Sequence, residues 1–462
     1  MKESFFSETV LKKLHDFAKT IKGTVLFKDH PEYDNYRNIW NLVIDAHPSC
    51  VIRVKDAQDV AAVLAFSKEN RIPLVVRGVG HSLAGYSAGH DCLVIDLSAL
   101  NRIDLDEESR IARIEPGATW GEVAEALQPY GLAITSGDNA GVGVGGLTQG
   151  SGMGFMVRKY GLTIDLLRSV ELVTAEGSIL HASQTENADL FWAIRGGAGN
   201  FGIVTALELE VHGGGELLGG FLFYEGANAS ELLEIGQLAA KAPEELTTII
   251  SIMTAPNFPF IPSAHHGKPI LRVFFCYTGD LKEGEKVLAP FREIGTVIAD
   301  SVGPKPYVDL IQNLGKQRFG YISRNLYLQS LNLQTAEALV KDIHEIQFPS
   351  FMGIQLRVLG GAMSRIPVDT TAFPHRDKPF FVWIQNLYMT KEQEEENRVL
   401  NHRVWKTLLP FAAGADVNFL GITEKDRLHD VYPAETLERL IQLKKQYDPE
   451  NMFKSNLNIC AD

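Results

Sequence analysis

A chain of 462 residues, 45% hydrophobic and 22% charged, has the composition of an ordinary globular protein and the length of two or three domains. Its formal net charge of −13 leaves no basic surplus to offset phosphates, which excludes nucleic acid as a partner. The opening "MKESFFSETVLKKLHDFAKT" is charged throughout, no apolar run approaches about 18 residues, and the four cysteines form no CxxC pair; a cytoplasmic protein with reduced thiols, no membrane span and no metal set is expected.

In chain order, "DAQDVAAVLAFSKENRI" has an Asp56 start and apolar residues at helical spacing, and "PLVVRG" and "CLVIDLS" are short β-branched runs that predict strands. "WGEVAEALQPYG" predicts a short helix ending near Gly131, and "SVELVTAEGSILHAS" a hairpin around a Glu-Gly turn. "FGIVTALELEVH" predicts a strand, and Gly213-Gly214-Gly215 after it marks the strongest domain boundary. Beyond it, strands such as "ILRVFFCYTG", "GIQLRVLGG" and "FFVWIQNLYM" alternate with helices such as "LQTAEALVKDIHEI" and "EEENRVLNHRVWKTLLPF". That pattern predicts an α+β unit, a sheet with helices on one face. The last segment predicts one amphipathic helix, a stop at Pro449 and a polar tail.

Three glycine-rich runs carry the chemistry: "RGVGHSLAGYS" at 77–87, "SGDNAGVGVGGLTQGSGMGFMVRKYGLTID" at 136–165, and "RGGAGNFGIV" at 195–204. Gly141 to Gly146 formally match GxGxxG, and Asp165 lies downstream where a ribose-binding acid would stand. A dinucleotide fingerprint needs its third glycine to open a helix after a strong strand. Here Gly150, Gly152 and Gly154 follow, each costing about 1 kcal/mol in a helix, so an extended glycine-lined loop is expected. One such run reads as a tight turn. Three within one domain read as main chain brought close to a long, flat, phosphate-bearing ligand.

The run around His81 resembles the RxGGHS signature of FAD-linked oxidases of the berberine-bridge-enzyme type, in the vanillyl-alcohol-oxidase (PCMH-fold) superfamily. "ARIEPGATWGEV", "DLFWAIRGGAGNFGIVT" and the ending "YDPENMFKSNLNI" follow in the family's order, with a likeness to the bacterial 6-hydroxy-D-nicotine oxidase-like group. The resemblance implies a PCMH-type FAD-binding domain of two α/β subdomains over 1–213, an antiparallel-sheet substrate domain over 214–410, and a C-terminal segment, 411–462, returning to the first. It implies an 8α-histidyl bond from His81 to FAD. Many relatives add a cysteinyl bond, but Asn139 stands at the cysteine's place, so one covalent bond is expected. The cofactor set it implies is Arg77, Gly78, Val79, Gly80, His81, Ser82, Gly117, Gly137, Asn139, Val142, Gly143, Gly145, Gly146, Gly150, Gly152, Gly154, Ile203, Asn418 and Asn456.

A small residue at the place of Val142 tends to admit O2 in this family, which implies an oxidase that passes hydride to flavin N5 and releases H2O2. The family's usual bases are missing: Val382 holds the strand glutamate's place, and the YxNY motif reads Asp416-Val417-Asn418-Phe419. Asp416, Tyr321 and Tyr388 are the candidate substitutes, and Asp416 is expected in a solvated loop. Gln355, Arg357, Trp383, Gln385 and Asn386 alternate on substrate-domain strands; one set of faces lines the pocket and the other lies in the opposite core. His375-Arg376 reads as a structural turn. The expected function is oxidation of a small amine or alcohol by O2, in a monomer or homodimer. The alternatives are a flavin dehydrogenase using another acceptor and a non-catalytic flavin- or ligand-binding protein.

Overall fold

A computed structural model describes residues 5–313, 315, 317–343 and 351–460. The strand Cys50–Arg53 pairs antiparallel with Thr24–Phe27 and parallel with Leu93–Asp96, which pairs parallel with Leu74–Arg77. The helix Ala57–Asn70 covers this sheet; the Asp56 carboxylate caps it by accepting from the Asp59 amide at 2.9 Å. A second, wholly antiparallel sheet has the order Ile103–Asp106, Ile111–Ile114, Ile203–Glu210, Leu167–Val173, Ile179–Ser183. The hairpin around Glu176-Gly177 is its edge.

The glycines at 213–215 stand between sheets. His212–Gly213 pairs with Leu132–Ala133, and Glu216–Glu225 begins the large antiparallel sheet. That sheet runs Val297–Asp300, Glu216–Glu225, Pro269–Tyr277, Leu246–Thr254, Phe351–Val358, Phe380–Tyr388, Gly320–Leu328, with Gly303–Pro306 paired beside Glu216–Glu225. The helices Ala229–Lys241, Leu333–Val340 and Glu394–Leu408 pack on one face, where Leu232, Ile235, Leu339 and Leu408 bury against Ile250, Leu356, Val382 and Ile384. Residues 344–346 of the expected helix "LQTAEALVKDIHEI" lie outside the described residues. The chain has the α+β fold expected, and the C-terminal helix Ala434–Tyr447 returns to bury Leu437, Leu440 and Leu443 in the core of the second sheet.

One expectation fails here. Val144–Gly150 is helical where an extended loop was expected. The helix propensity of glycine is overridden by packing: a Cβ on Gly145 would stand 2.7 Å from Pro116 Cβ, and one on Gly150 would stand 2.1 Å from Asn418 Oδ1. The segment still lacks the strong preceding strand of a dinucleotide-binding turn.

Asp165 meets not a ribose but Arg376. The guanidinium donates to the Asp165 carboxylate at 2.7 and 3.1 Å, and both side chains are almost wholly buried. This pair ties the strap after the glycine helix to the "FPHR" turn of the large sheet. Beside it, burial pushes the His375 imidazole down to about 4, while its ring N–H faces the Asp430 and Val431 carbonyls at 3.1 and 3.0 Å.

Two outcomes follow from these buried groups. Arg376→Ala leaves Asp165 charged and unpaired, and should lower the unfolding free energy by about 3–5 kcal/mol in denaturant titration. Between pH 6.5 and about 4 the unfolded chain protonates His375 while the folded chain does not, so stability falls as pH falls through that window and is unaffected above it. His375→Gln should flatten the slope of unfolding free energy against pH there by up to about one proton.

Candidate functional site: a backbone-lined cavity beneath the large sheet

A cavity of about 700 Å³ runs between the two small sheets and the helix-free face of the large one. Its floor starts at the end of the strand Leu74–Arg77. Arg77 itself forms a buried ion pair with Asp96, and its guanidinium lies 3.1 Å from where a Cβ on Gly80 would project. Gly80 has φ +83°, so glycine is required twice over, for the left-handed turn and for the arginine beneath it. The turn delivers His81 into the cavity, leaning on Trp40 with ring centroids 5.6 Å apart.

Burial, reinforced by the positive field of Arg77, pushes the His81 imidazole down to about 4. The ring is therefore neutral at physiological pH, with a lone pair free for bonding. Across from it, a Cβ on Gly141 would stand 3.0 Å from His81 Nε2, so bare main chain is what leaves the ring its room. Asn139 accepts from the Gly141 amide at 2.8 Å and is clamped from outside: the Ala140 amide donates to Gln312 O at 2.8 Å, and the Gln312 amide to Asp138 O at 2.9 Å.

The residues expected to hold the cofactor divide in two. Gly78, Val79, Gly80, His81, Ser82, Gly137, Asn139, Val142, Gly143, Gly145, Gly146, Ile203, Asn418 and Asn456 line the cavity. Arg77, paired with Asp96, and Gly117, Gly150, Gly152 and Gly154 stand behind it; a Cβ on any of these glycines would strike packed neighbours, at Gly117 Leu97 O at 2.1 Å and at Gly154 Ser136 O at 1.6 Å. Gly146 is different: nothing lies within 4 Å of its Cβ position, which opens on the cavity. Gly78 is nearly as open, with one neighbour at 3.8 Å. Two glycines facing empty space beside a neutral imidazole are what a flat, phosphate-bearing flavin nucleotide requires. Asn418 and Asn456 hold the rim, donating to Leu147 O and Gly199 O at 2.9 Å each.

The large sheet forms the roof. Period-two alternation puts Gln355, Arg357, Trp383, Gln385 and Tyr321 on its cavity side. The Tyr321 hydroxyl donates to Gln385 Oε1, and burial holds its pKa well above the usual phenol value. Trp383 donates to Ser323 Oγ at 2.8 Å, and Trp40, Tyr321, Trp383 and Phe419 make a continuous aromatic wall. Arg357 does not itself line the cavity: it donates to Asp138 Oδ2 at 2.7 Å, to Gln355 Oε1 at 3.0 Å and to Met153 O at 3.2 Å.

Two expectations about the roof change. Asn386 lies in the register of Val382 and Ile384, facing the helices, where it bonds Asn397 and Asn401 of Glu394–Leu408; it is a core amide, not a substrate contact. Asp416 is neither solvated nor in the cavity wall. It is 1% exposed, accepts from the Asn418 amide at 2.8 Å and from the Tyr327 hydroxyl at 3.1 Å, and caps the turn Val417–Phe419. Burial raises its pKa. Tyr388 reaches the cavity edge, its hydroxyl buried without a hydrogen-bond partner. Sequence reasoning missed Trp40, Asp138, Arg272, Gln312 and Phe319. The first and last carry no local signal, and the other three matter only through neighbours distant in sequence.

Two family models match the chain: the FAD binding domain over residues 48–183, and "Berberine and berberine like" over residues 416–460. An FAD-linked oxidoreductase of Dictyostelium discoideum is 27% identical over 96% of this chain and 96% of its own. The (R)-6-hydroxynicotine oxidase of Paenarthrobacter nicotinovorans is 28% identical over 95% of this chain and 97% of its own. The crystal structure of 6-hydroxy-D-nicotine oxidase from Arthrobacter nicotinovorans superposes with a TM-score of 0.86 at 25% identity, covering 95% of this chain and 98% of that one. The FAD-binding family model and the fold agree.

Gly146 supplies the test of the cradle. Gly146→Leu projects into open space, so it should cut bound flavin roughly tenfold or more, read by absorbance, while the melting temperature of the flavin-free protein moves by no more than about 2 °C.

Proposed function

The chain belongs to the berberine-type FAD-linked oxidoreductases, and from that premise we propose that it is an oxidase of a small amine or alcohol, with FAD joined through one covalent bond to His81 and O2 as final acceptor. The observation that carries the reading is His81: a neutral imidazole, its pKa lowered to about 4, in a pocket where Asn139 stands opposite and offers no thiol. Bound FAD supplies the acceptor for the substrate's hydride and returns the electron pair to O2 as H2O2.

This chain's residues do the rest. Gly78 and Gly146, open where a Cβ would project, would let the diphosphate come close to the main chain. Trp40, Tyr321, Trp383 and Phe419 would exclude water from the cavity and hold an organic substrate by its apolar faces. Val142 lines the same wall, small enough to leave a path for O2. Gln385 and Tyr321 orient the substrate's polar atom.

The proton inventory favours an amine. Asp138 is the one carboxylate among the described lining residues, and it is committed to Arg357 at 2.7 Å. Asp416 sits behind the wall, and Tyr321 is held protonated by burial. A neutral amine gives up hydride with its nitrogen lone pair as the driving electrons and needs no strong base. An alcohol would need its proton taken by a group this wall does not supply.

Acid precipitation of the purified holoprotein should give a yellow, fluorescent pellet. His81→Ala should release the colour into the supernatant; Asn139→Ala should not. A panel of amines and secondary alcohols should bleach the flavin in the amine arm, with stoichiometric H2O2 in air. Bleaching without peroxide would instead mark a dehydrogenase, and a flavin that no substrate bleaches would mark a binding protein.

A further inference from the structure

Two arginines of the large sheet project toward the cavity, and only one has its charge answered. Arg357 is matched by Asp138. Arg272 lines the cavity from the middle of Pro269–Tyr277, and among the described residues no carboxylate lies within 4.0 Å of it. Its Nη2 donates to Ser251 Oγ at 3.3 Å; its Nε is buried without an acceptor. Burial pulls its pKa down to about 10, with Asp138 opposing from a distance. A partly buried guanidinium with an unpaired Nε–H is poised to pair with an anion that enters the cavity.

The surroundings hold it ready. Its Cζ lies 4.9 Å from the centroid of the Phe221 ring, which Phe274 backs at 5.2 Å, so the fork is supported on one side. The register carries a polar rung from it across the roof: Arg272 opposite Ser251, Ser251 opposite Gln355, Gln355 opposite Trp383. Three strand spacings of about 4.8 Å put Arg272 roughly 14 Å from the Trp383 position. Met253, Pro256 and Phe258 line the cavity on the same sheet face and the loop beyond it, giving the intervening space an apolar wall.

We propose that Arg272, steadied by Ser251 and Phe221, is an anion-binding subsite of the substrate half of the cavity, and that the substrate carries a carboxylate at the end remote from the carbon that is oxidised. The inference deepens the oxidase reading above and rests on it for the word substrate; the subsite itself is a property of Arg272. A carboxylate there accepts from the free face of the guanidinium, including the orphaned Nε–H, and brings the one missing negative charge into the wall. The aromatic end of the cavity then takes the oxidisable part. Arg272 is a specificity residue and touches no reacting atom.

The test reads binding, not turnover. The FAD-loaded protein is titrated with benzoate and with its neutral isostere benzamide, following the visible flavin spectrum. Benzoate should bind at least about tenfold tighter than benzamide. Arg272→Leu should weaken benzoate about tenfold or more while leaving benzamide and flavin content unchanged, and Arg272→Lys should recover part of the loss. Equal affinity for the two probes in the unaltered protein, which needs no variant to fold, overturns the proposal; so does benzoate binding that survives Arg272→Leu. Failure of the oxidase reading would show separately, as absent peroxide with benzoate binding intact.

Discussion

One ion pair holds the two halves of the site in register. Arg357 of the large sheet donates to Asp138, three residues before the Gly141 that gives His81 its room, and its side chain is 3% exposed. Removing Asp138 would strand the buried Arg357 charge, at a cost of about 3–5 kcal/mol, so the sheet and the flavin-side loop keep their distance. Arg357 also donates to Met153 O and lies 5.1 Å from the Phe419 ring centre. Roof, floor and C-terminal segment therefore meet at a single guanidinium.

That arrangement decides the electrostatics of the cavity. Asp138 spends its charge on Arg357, which leaves Arg272 unanswered and, among the described residues, the wall without an available carboxylate base. His81 is neutral in the same low-dielectric setting. The lining thus offers aromatic faces and the Arg272 guanidinium, and among the described residues its one carboxylate, Asp138, is already paired. A substrate whose own lone pair drives hydride loss suits such a wall.

Glycine does different work at neighbouring positions. Gly145 and Gly150 allow a seven-residue helix to press against Pro116 and Asn418, Gly80 makes room over Arg77, and Gly146 faces open space. The first three are packing requirements, and the last is a requirement of the ligand. Runs of glycine identified the region, while only the Cβ directions separated the reasons.

The sequence by itself determined the local events. The turn at Gly80, the absence of a thiol at Asn139, the Asp56 cap, the hairpin at Gly177 and the period-two strands all depend on residues a few positions apart, whose sterics act whatever the rest of the chain does. The tertiary structure alone decided which face of each strand looks inward, and so sent Asn386 to the helices and Gln385 to the cavity. It also buried Asp416 as a cap, turned the Val144–Gly150 stretch into a helix, matched Asp165 with Arg376, and left Arg272 without a carboxylate. Those outcomes turn on pairings between segments tens to hundreds of residues apart, where the free energy comes from packing and desolvation that no local stretch of chain contains.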